Sequence, residues 1–491
     1  MEFEAKTNSL KFSKLKNKEN IESIHNPIEY LLIDMNNNLW VGTMSTGLFK
    51  IKNIGDNKNQ LYDIDHFLIS ENRILSIINL PDGTLMSGTE NDGLFHIDTN
   101  GYVLNHYLSN KTNEKGIASN SIWSLYLDRN DRIWMGYYNA GVGVYDGLYD
   151  KFKDIKSLHD NNNSLNTNSV TAIIEDQFGK SWIGMDGGGI DVLDLKTNHF
   201  THINALEKGP FSGLTDNYIE ALFIDSKQNN WAGSWSKGLF FFKKGTKKFV
   251  NYTISNTNGN LNSNNILSIT EDSQGTIWFA SWNKGLHSYN PKTKKFTHHK
   301  SEPFLKHGLT DCYARKVLID KKDNLWLTTT NKGLFKIKRL EDHTFSIVSM
   351  AYRMAEQFDN YATANHILSL YEGGDGTIWI GTRGAGLCKY NSKADKFTWY
   401  NQQNGLAAIN ITSIIEDLEG DIWLSSNSGI SRLDVKTNTF TRFTKDDGLL
   451  SNDFNINAAI RNDEGLIYFV NYKGIDYFYP SKISINTVLP S

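Results

Sequence analysis

The chain has 491 residues, 12% of them aromatic, with 39 glycines, 7 prolines and a formal net charge of −3. A near-neutral balance without blocks of like charge gives no indication of a nucleic-acid partner or an anionic membrane surface. Two cysteines, Cys312 and Cys388, exclude a disulfide scaffold and a cysteine-rich zinc centre, and no run of about 18 apolar residues is present to span a bilayer.

The first twenty residues, MEFEAKTNSLKFSKLKNKEN, lack the apolar core of a secretory signal. Within them Ser9 to Ser13 alternates polar and apolar residues, as an outer strand does, yet no inner strands come before it. From residue 28 a single unit recurs. Aligned on its large aromatic, the unit places Trp40, Met86, Trp134, Trp182, Trp231, Trp278, Trp326, Trp379, Trp423 and Tyr468 in register, 44 to 53 residues apart. A small residue usually follows two positions later and a glycine six or seven positions later, while an aspartate stands six positions before in seven copies.

Each copy reads as four strands. In the ninth, Thr412 to Glu416 is an apolar inner strand, Asp417 starts a turn, and Asp421 to Leu424 is the second strand. Ile430 to Val435 is the third, and Asn438 to Phe443 alternates as a half-exposed edge should. A large residue, Trp in eight of the ten copies and usually beside a small one, predicts sheets packed face to face, with the large side chain filling the gap. Four-stranded units of this period define an all-β fold, a β-propeller of antiparallel blades, with ten repeats over 28–480. The tenth copy has three strands and lacks an outer one, so the N-terminal strand within 1–27 is expected to complete it and close the ring. Ten blades exceed the usual four to eight, and part of a tandem of seven-bladed propellers is the alternative. The longest interval, Trp326 to Trp379, holds a polar excursion and is the expected seam. Residues 481–491 read as a linker toward a further domain.

The stretch Asp375 to Tyr390, DGTIWIGTRGAGLCKY, resembles the two-component regulator propeller repeat almost letter for letter. The resemblance extends over nearly all of 28–480. It implies the periplasmic sensor region of a hybrid two-component sensor kinase of Bacteroidetes, a region that detects glycan fragments, in a receptor that is a homodimer and reaches the membrane only through other segments. Function by this route is analogy, and the residues have to carry it.

In a blade the loop after the Trp strand shares one face with the segments that join successive blades. On those loops stand Tyr138, Asp186, Trp235, Lys237, Trp282, Lys284, Lys332, Arg383 and Tyr472. The aromatics lie outside the structural series and could stack on sugar rings. Lys237, Lys284, Lys332 and Arg383 come from four successive copies and suit a carboxylate or sulfate. These residues are the expected oligosaccharide site, with an acidic sugar as the narrower expectation. Solvated loop lysines and turn aspartates are the plainer reading of the same positions. The D-x-x-G-x-I-W run is close to the aspartate box of sialidases, but Asp272 precedes Trp278 by one residue too many. His298 and His299 fall on an outer strand expected to be exposed, and no metal, P-loop or nucleophile-elbow motif occurs, so no cofactor is expected. The reading is a sensor that binds without catalysing. A protein-docking scaffold and, less so, a polysaccharide lyase or hydrolase are the alternatives.

Overall fold

The structure, a computed structural model, describes residues 26–52, 61–110, 116–147, 151–159, 161–205, 211–330, 332–351, 354 and 361–483, with the short strands Glu2–Glu4, Ser9–Lys11 and Lys16–Asn17. Among the described residues all ten repeats form antiparallel sheets, nine with four strands and one with three. The chain divides into two compact units, Met1–Tyr149 and Asp150–Ser491.

The first unit holds three blades. Their inner strands, Ile28–Ile33, Ile74–Asn79 and Ile122–Leu127, lie side by side in an arc. The second unit holds seven. Its inner strands, Val170–Glu175, Ile219–Ile224, Ile266–Glu271, Ala314–Ile319, Ile367–Glu372, Ile411–Glu416 and Phe454–Arg461, each neighbour the next. The last also neighbours the first, and the ring is closed.

Closure does not use the N-terminal strand. Ser9–Lys11 pairs with Glu2–Glu4, whereas the last blade takes as its outer strand Lys153–Ile155, with Lys153 opposite Tyr477 and Ile155 opposite Ile475. The blades are therefore not a ring of ten, and the seven-bladed alternative describes the second unit. Packing explains the choice. Phe152 is buried against Phe443 and Phe478 at 5.5 and 4.9 Å between ring centroids, and Ile155 joins the core shared by the last and first blades. Lys151 adds an ion pair to Asp447 at 3.1 Å. Nor does the seam fall between Trp326 and Trp379. That interval stays inside the ring, with Met350 and Met354 buried beside Trp326 and Ile380. Of the expected C-terminal linker, residues 484–491 lie outside the described residues.

Within a blade the repeated residues have separate tasks. The Trp of one sheet fills the interface to the next: Trp231 packs on Ile266, Ile269 and Phe279 of the following blade. The small residue two positions later permits that approach, because a Cβ on Gly233 would stand 2.6 Å from the Ile266 carbonyl oxygen. The later glycine turns the chain: Gly238 has φ +82° and a Cβ there would meet the Tyr252 carbonyl at 2.2 Å. The aspartate does more than cap its turn. Asp225 accepts the backbone N–H of Lys227 and Asn229 on one oxygen and the indole N–H of Trp231 on the other, at 3.0 Å.

If Phe152 seals the ring, Phe152→Ala should lower the stability of the second unit by about 3–5 kcal/mol, the usual cost of emptying a buried aromatic site. Phe12→Ala should leave the same transition in place. Calorimetry of the two variants separates the two closures, and equal destabilisation by both would contradict closure through Lys153–Ile155.

Candidate ligand site in the channel of the seven-bladed unit

The seven inner strands surround a channel. One cavity of about 420 Å³ is lined from the first, second, third, fourth and seventh blades, and a second of about 330 Å³ from the fourth to the seventh. Lys316 and Asn457 line both. The inner strands share a device that sets what faces this space. In the first six blades the pairing register shifts after the first residue, so that Thr171, Glu220, Leu267, Arg315, Leu368 and Thr412 stand at a bulge. A bulge leaves one residue out of the ladder and re-aims its side chain. Thr171, Glu220, Leu267 and Arg315 line the larger cavity, and Asp186 and Tyr472 reach it from the loops after the Trp strands.

The expected site residues divide into three groups. Tyr138 belongs to the first unit, where its exposed ring stacks on Trp123 at 5.2 Å. The other eight lie in the second. Trp235, 44% exposed, meets Trp282 at 6.2 Å between centroids, and Trp282 meets Tyr313 at 4.7 Å. The Arg315 guanidinium lies over the Trp282 ring at 5.7 Å, which joins this aromatic row to the cavity wall. Two of the expected cations turn elsewhere. Lys284 pairs with Asp311 at 2.7 Å and Lys332 donates to the Gly308 carbonyl at 2.9 Å. Lys237 is exposed, its backbone N–H given to Ser234 and its carbonyl held by Asn251. Arg383 is the member of that set that acts on Arg315 and on His366, whose carbonyl accepts the Arg383 N–H at 2.8 Å.

Three channel residues escaped the sequence reading. Glu220, Arg315 and Lys316 lie on inner strands that look ordinary one at a time. Read across copies they stand out: the residue after the bulge is Ala172, Ala221, Ser268, Ser369 or Ser413 in other blades, and Lys316 in the fourth. Burial, with Asp186 beside it, raises the Glu220 carboxyl above its ordinary range, against the pull of Arg315. Burial alone pushes the Lys316 ammonium down to about 8. Burial, opposed by Glu220 and helped by Arg383, lowers Arg315.

The histidine expectation is corrected. His299 is buried, stacked on Trp278 at 4.7 Å with Nε2 2.9 Å from the Ser288 hydroxyl, and burial pushes its imidazole down to about 3. Its neighbour His298 stacks on the fully buried His287 at 4.6 Å. The third strand of that blade presents its residues to the fourth, so His287 and His299 belong to the core and His298 is half-buried against it. Among the described residues no group of His, Cys, Asp or Glu is placed to hold a metal ion.

A closed propeller with aromatic and charged side chains gathered at its channel is a protein that can hold a ligand on its axis. The chain carries two component regulator propeller repeats: residues 116–139, 260–283 and 362–384 match the family of that description. Over 193 residues, 39% of the chain, it is 27% identical to "Histidine kinase P4" of Formosa agariphila, a match that spans 14% of that kinase. The extracellular domain of the putative hybrid two component system BT3049 from B. thetaiotaomicron is similar over 94% of this chain and 57% of its own length, with a TM-score of 0.73 and 23% identity. A catalytically inactive virginiamycin B lyase from Staphylococcus aureus is similar over 67% of this chain and 98% of its own, with a TM-score of 0.50 and 16% identity. At these identities the structural likenesses speak for the fold. The chain spans well under two thirds of the kinase and of the BT3049 domain.

Lys316 carries a pH signature. A lysine lowered from 10.5 to about 8 is charged in the unfolded chain where it is neutral in the folded one, so folding releases a proton between those values. Stability should therefore rise with pH from about 8 to 10.5, and the rise should flatten in Lys316→Met. Urea midpoints across that range test it. The same slope in both proteins would place the titration elsewhere, with Tyr371 and Tyr472 among the other ionisable groups on the cavity walls.

Proposed function

We propose that this chain is the extracytoplasmic, periplasmic ligand-sensing part of a hybrid two-component sensor kinase, and that it binds an oligosaccharide at the channel mouth of the seven-bladed unit. The observation that carries the reading is the row Trp235, Trp282 and Tyr313, which leads from exposed ring faces to the cavity wall at Arg315. Aromatic faces take the apolar faces of sugars, and the polar groups beside them, Asp186, Glu220 and Tyr472, suit hydroxyls. The printed names of the kinase and of the BT3049 domain support the sensor class. In a homodimeric receptor the ligand would act by binding one arrangement of the assembly more tightly than another. A second reading, polysaccharide cleavage, is favoured by Glu220 and Lys316, two groups on one cavity wall that are both pushed toward neutrality.

A thermal-shift screen with neutral and acidic oligosaccharides tests the first reading, because a ligand specific for the native state raises the midpoint with its saturation. Trp235→Ala with Trp282→Ala should weaken the best ligand about fivefold or more, since each stacked ring contributes about 0.5–1.5 kcal/mol. No shift with any glycan from a well-folded sample would overturn it. A shift that decays as product accumulates would favour cleavage.

A further inference from the structure

We propose that the wall of the channel beneath the aromatic row is a seat for one oxyanion, a carboxylate or a sulfate, borne by the ligand that stacks at the mouth. The proposal deepens the saccharide reading and rests on it for the occupant's sugar part. It begins from two adjacent cations, Arg315 at the bulge of the fourth blade and Lys316 after it, where the other blades place small, apolar or uncharged residues except Glu220. Both line the larger cavity, and Lys316 also lines the smaller.

Neither head group has a hydrogen bond or ion pair to any described residue. The Arg315 Nε is buried without an acceptor, and the guanidinium lies over the Trp282 ring at 5.7 Å. Arg315 and Lys316 are half-buried on the channel wall, and burial lowers Lys316 with no counter-charge opposing it. Enclosed charges in folded proteins are ordinarily paired, since desolvation is otherwise uncompensated. Glu220 lines the same cavity and attracts Arg315 without an ion pair, Lys316 has no such neighbour, and an anion from outside would complete the pairing. A guanidinium and an ammonium on the wall of one cavity suit a carboxylate or a sulfate.

Two features limit the occupant. Glu220 and Asp186 line the same cavity on neighbouring blades and repel further negative charge, which favours a single anionic group over a polyanion. Two of the three rim lysines are committed, Lys284 to Asp311 and Lys332 to the Gly308 carbonyl, which leaves Lys237 on the rim and Arg315 and Lys316 on the wall to meet the anion.

The test uses three probes on the full chain: a disaccharide ending in glucuronate, its glucose-ended counterpart, and sodium sulfate set against sodium chloride at equal ionic strength. Calorimetric titration should show the acidic disaccharide binding about tenfold or more tightly than the neutral one, as charge-assisted bonds imply. Lys316→Met should abolish that preference and Lys316→Arg should retain it. Trp235→Ala with Trp282→Ala should weaken both sugars and leave their ratio alone. Equal affinity for both sugars, or a preference that survives in Lys316→Met and in Arg315→Gln, would overturn the seat and leave the mouth reading standing. Sulfate that raises the melting point of the parent but not of Lys316→Met, with neither sugar binding, would support the seat and remove the saccharide. Should Lys316→Met fail to fold, Arg315→Gln carries the same comparison.

Discussion

The bond from an aspartate carboxylate to the indole N–H six residues later is the interaction on which the blades depend. It recurs at Asp34–Trp40, Asp128–Trp134, Asp176–Trp182, Asp225–Trp231, Asp272–Trp278, Asp320–Trp326 and Asp417–Trp423, with lengths of 2.7 to 3.0 Å. One carboxylate closes the turn through backbone N–H groups and also orients the side chain that fills the gap between sheets. Local chain reversal and blade packing are thus settled by the same group. Bonds to charged acceptors contribute about 1.5–3 kcal/mol each, and removing the acceptor would orphan several donors together. A second layer crosses between blades of the ring. The Ser226 N–H donates to Glu271, Ser273 to Asp323, Lys321 to Glu372 and Gly374 to Glu416, each carboxylate belonging to the next blade. Gly373 stands where the turn aspartate would be before Trp379, and there the carboxylate of Glu416 reaches in from the following blade.

Such local devices are what a single sequence displays. The Trp period, the small residue beside it, the left-handed glycine and the turn aspartate each act within a dozen residues, and all were legible. The indole partner of the aspartate was not, because backbone capping alone accounts for an aspartate at a turn. Closure was misassigned for a physical reason. Ser9 to Ser13 and Lys153–Ile155 are both short alternating strands, and nothing local tells them apart. The choice is made by the number of wedge-shaped blades that complete a turn and by Phe152, whose partners Phe443 and Phe478 lie some 300 residues away.

The site was legible by loops and hidden by strands. Trp235 and Trp282 stood out as aromatics beyond the structural series, and the structure pairs them. Lys284 and Lys332 looked like a cationic sector because their spacing repeats. Their partners, Asp311 and the Gly308 carbonyl, sit in the segment that joins the third and fourth blades of the ring, and alignment on the Trp does not show it. The channel residues were missed since alternation makes Glu220 and Arg315 look like solvent-facing positions of ordinary strands. The bulge shared by six inner strands is what turns those positions toward the axis, and only a column-wise reading of the inner strands would have raised them.

The division of labour that results has a consequence for function. Repeated positions hold the ring: Asp and Trp between blades, glycine where backbones meet. Positions that vary among copies, at the bulge and on the loops, face the channel. The contents of the channel can therefore change with little cost to the ring, and the fourth blade uses that freedom to place Arg315 and Lys316 on the channel wall without ion pairs. Two unpaired, half-buried cations lower the stability of the empty protein, and in the proposed sensor an anion that paired with them would restore it. Ligand binding and ring stability would then be linked through one pair of charges.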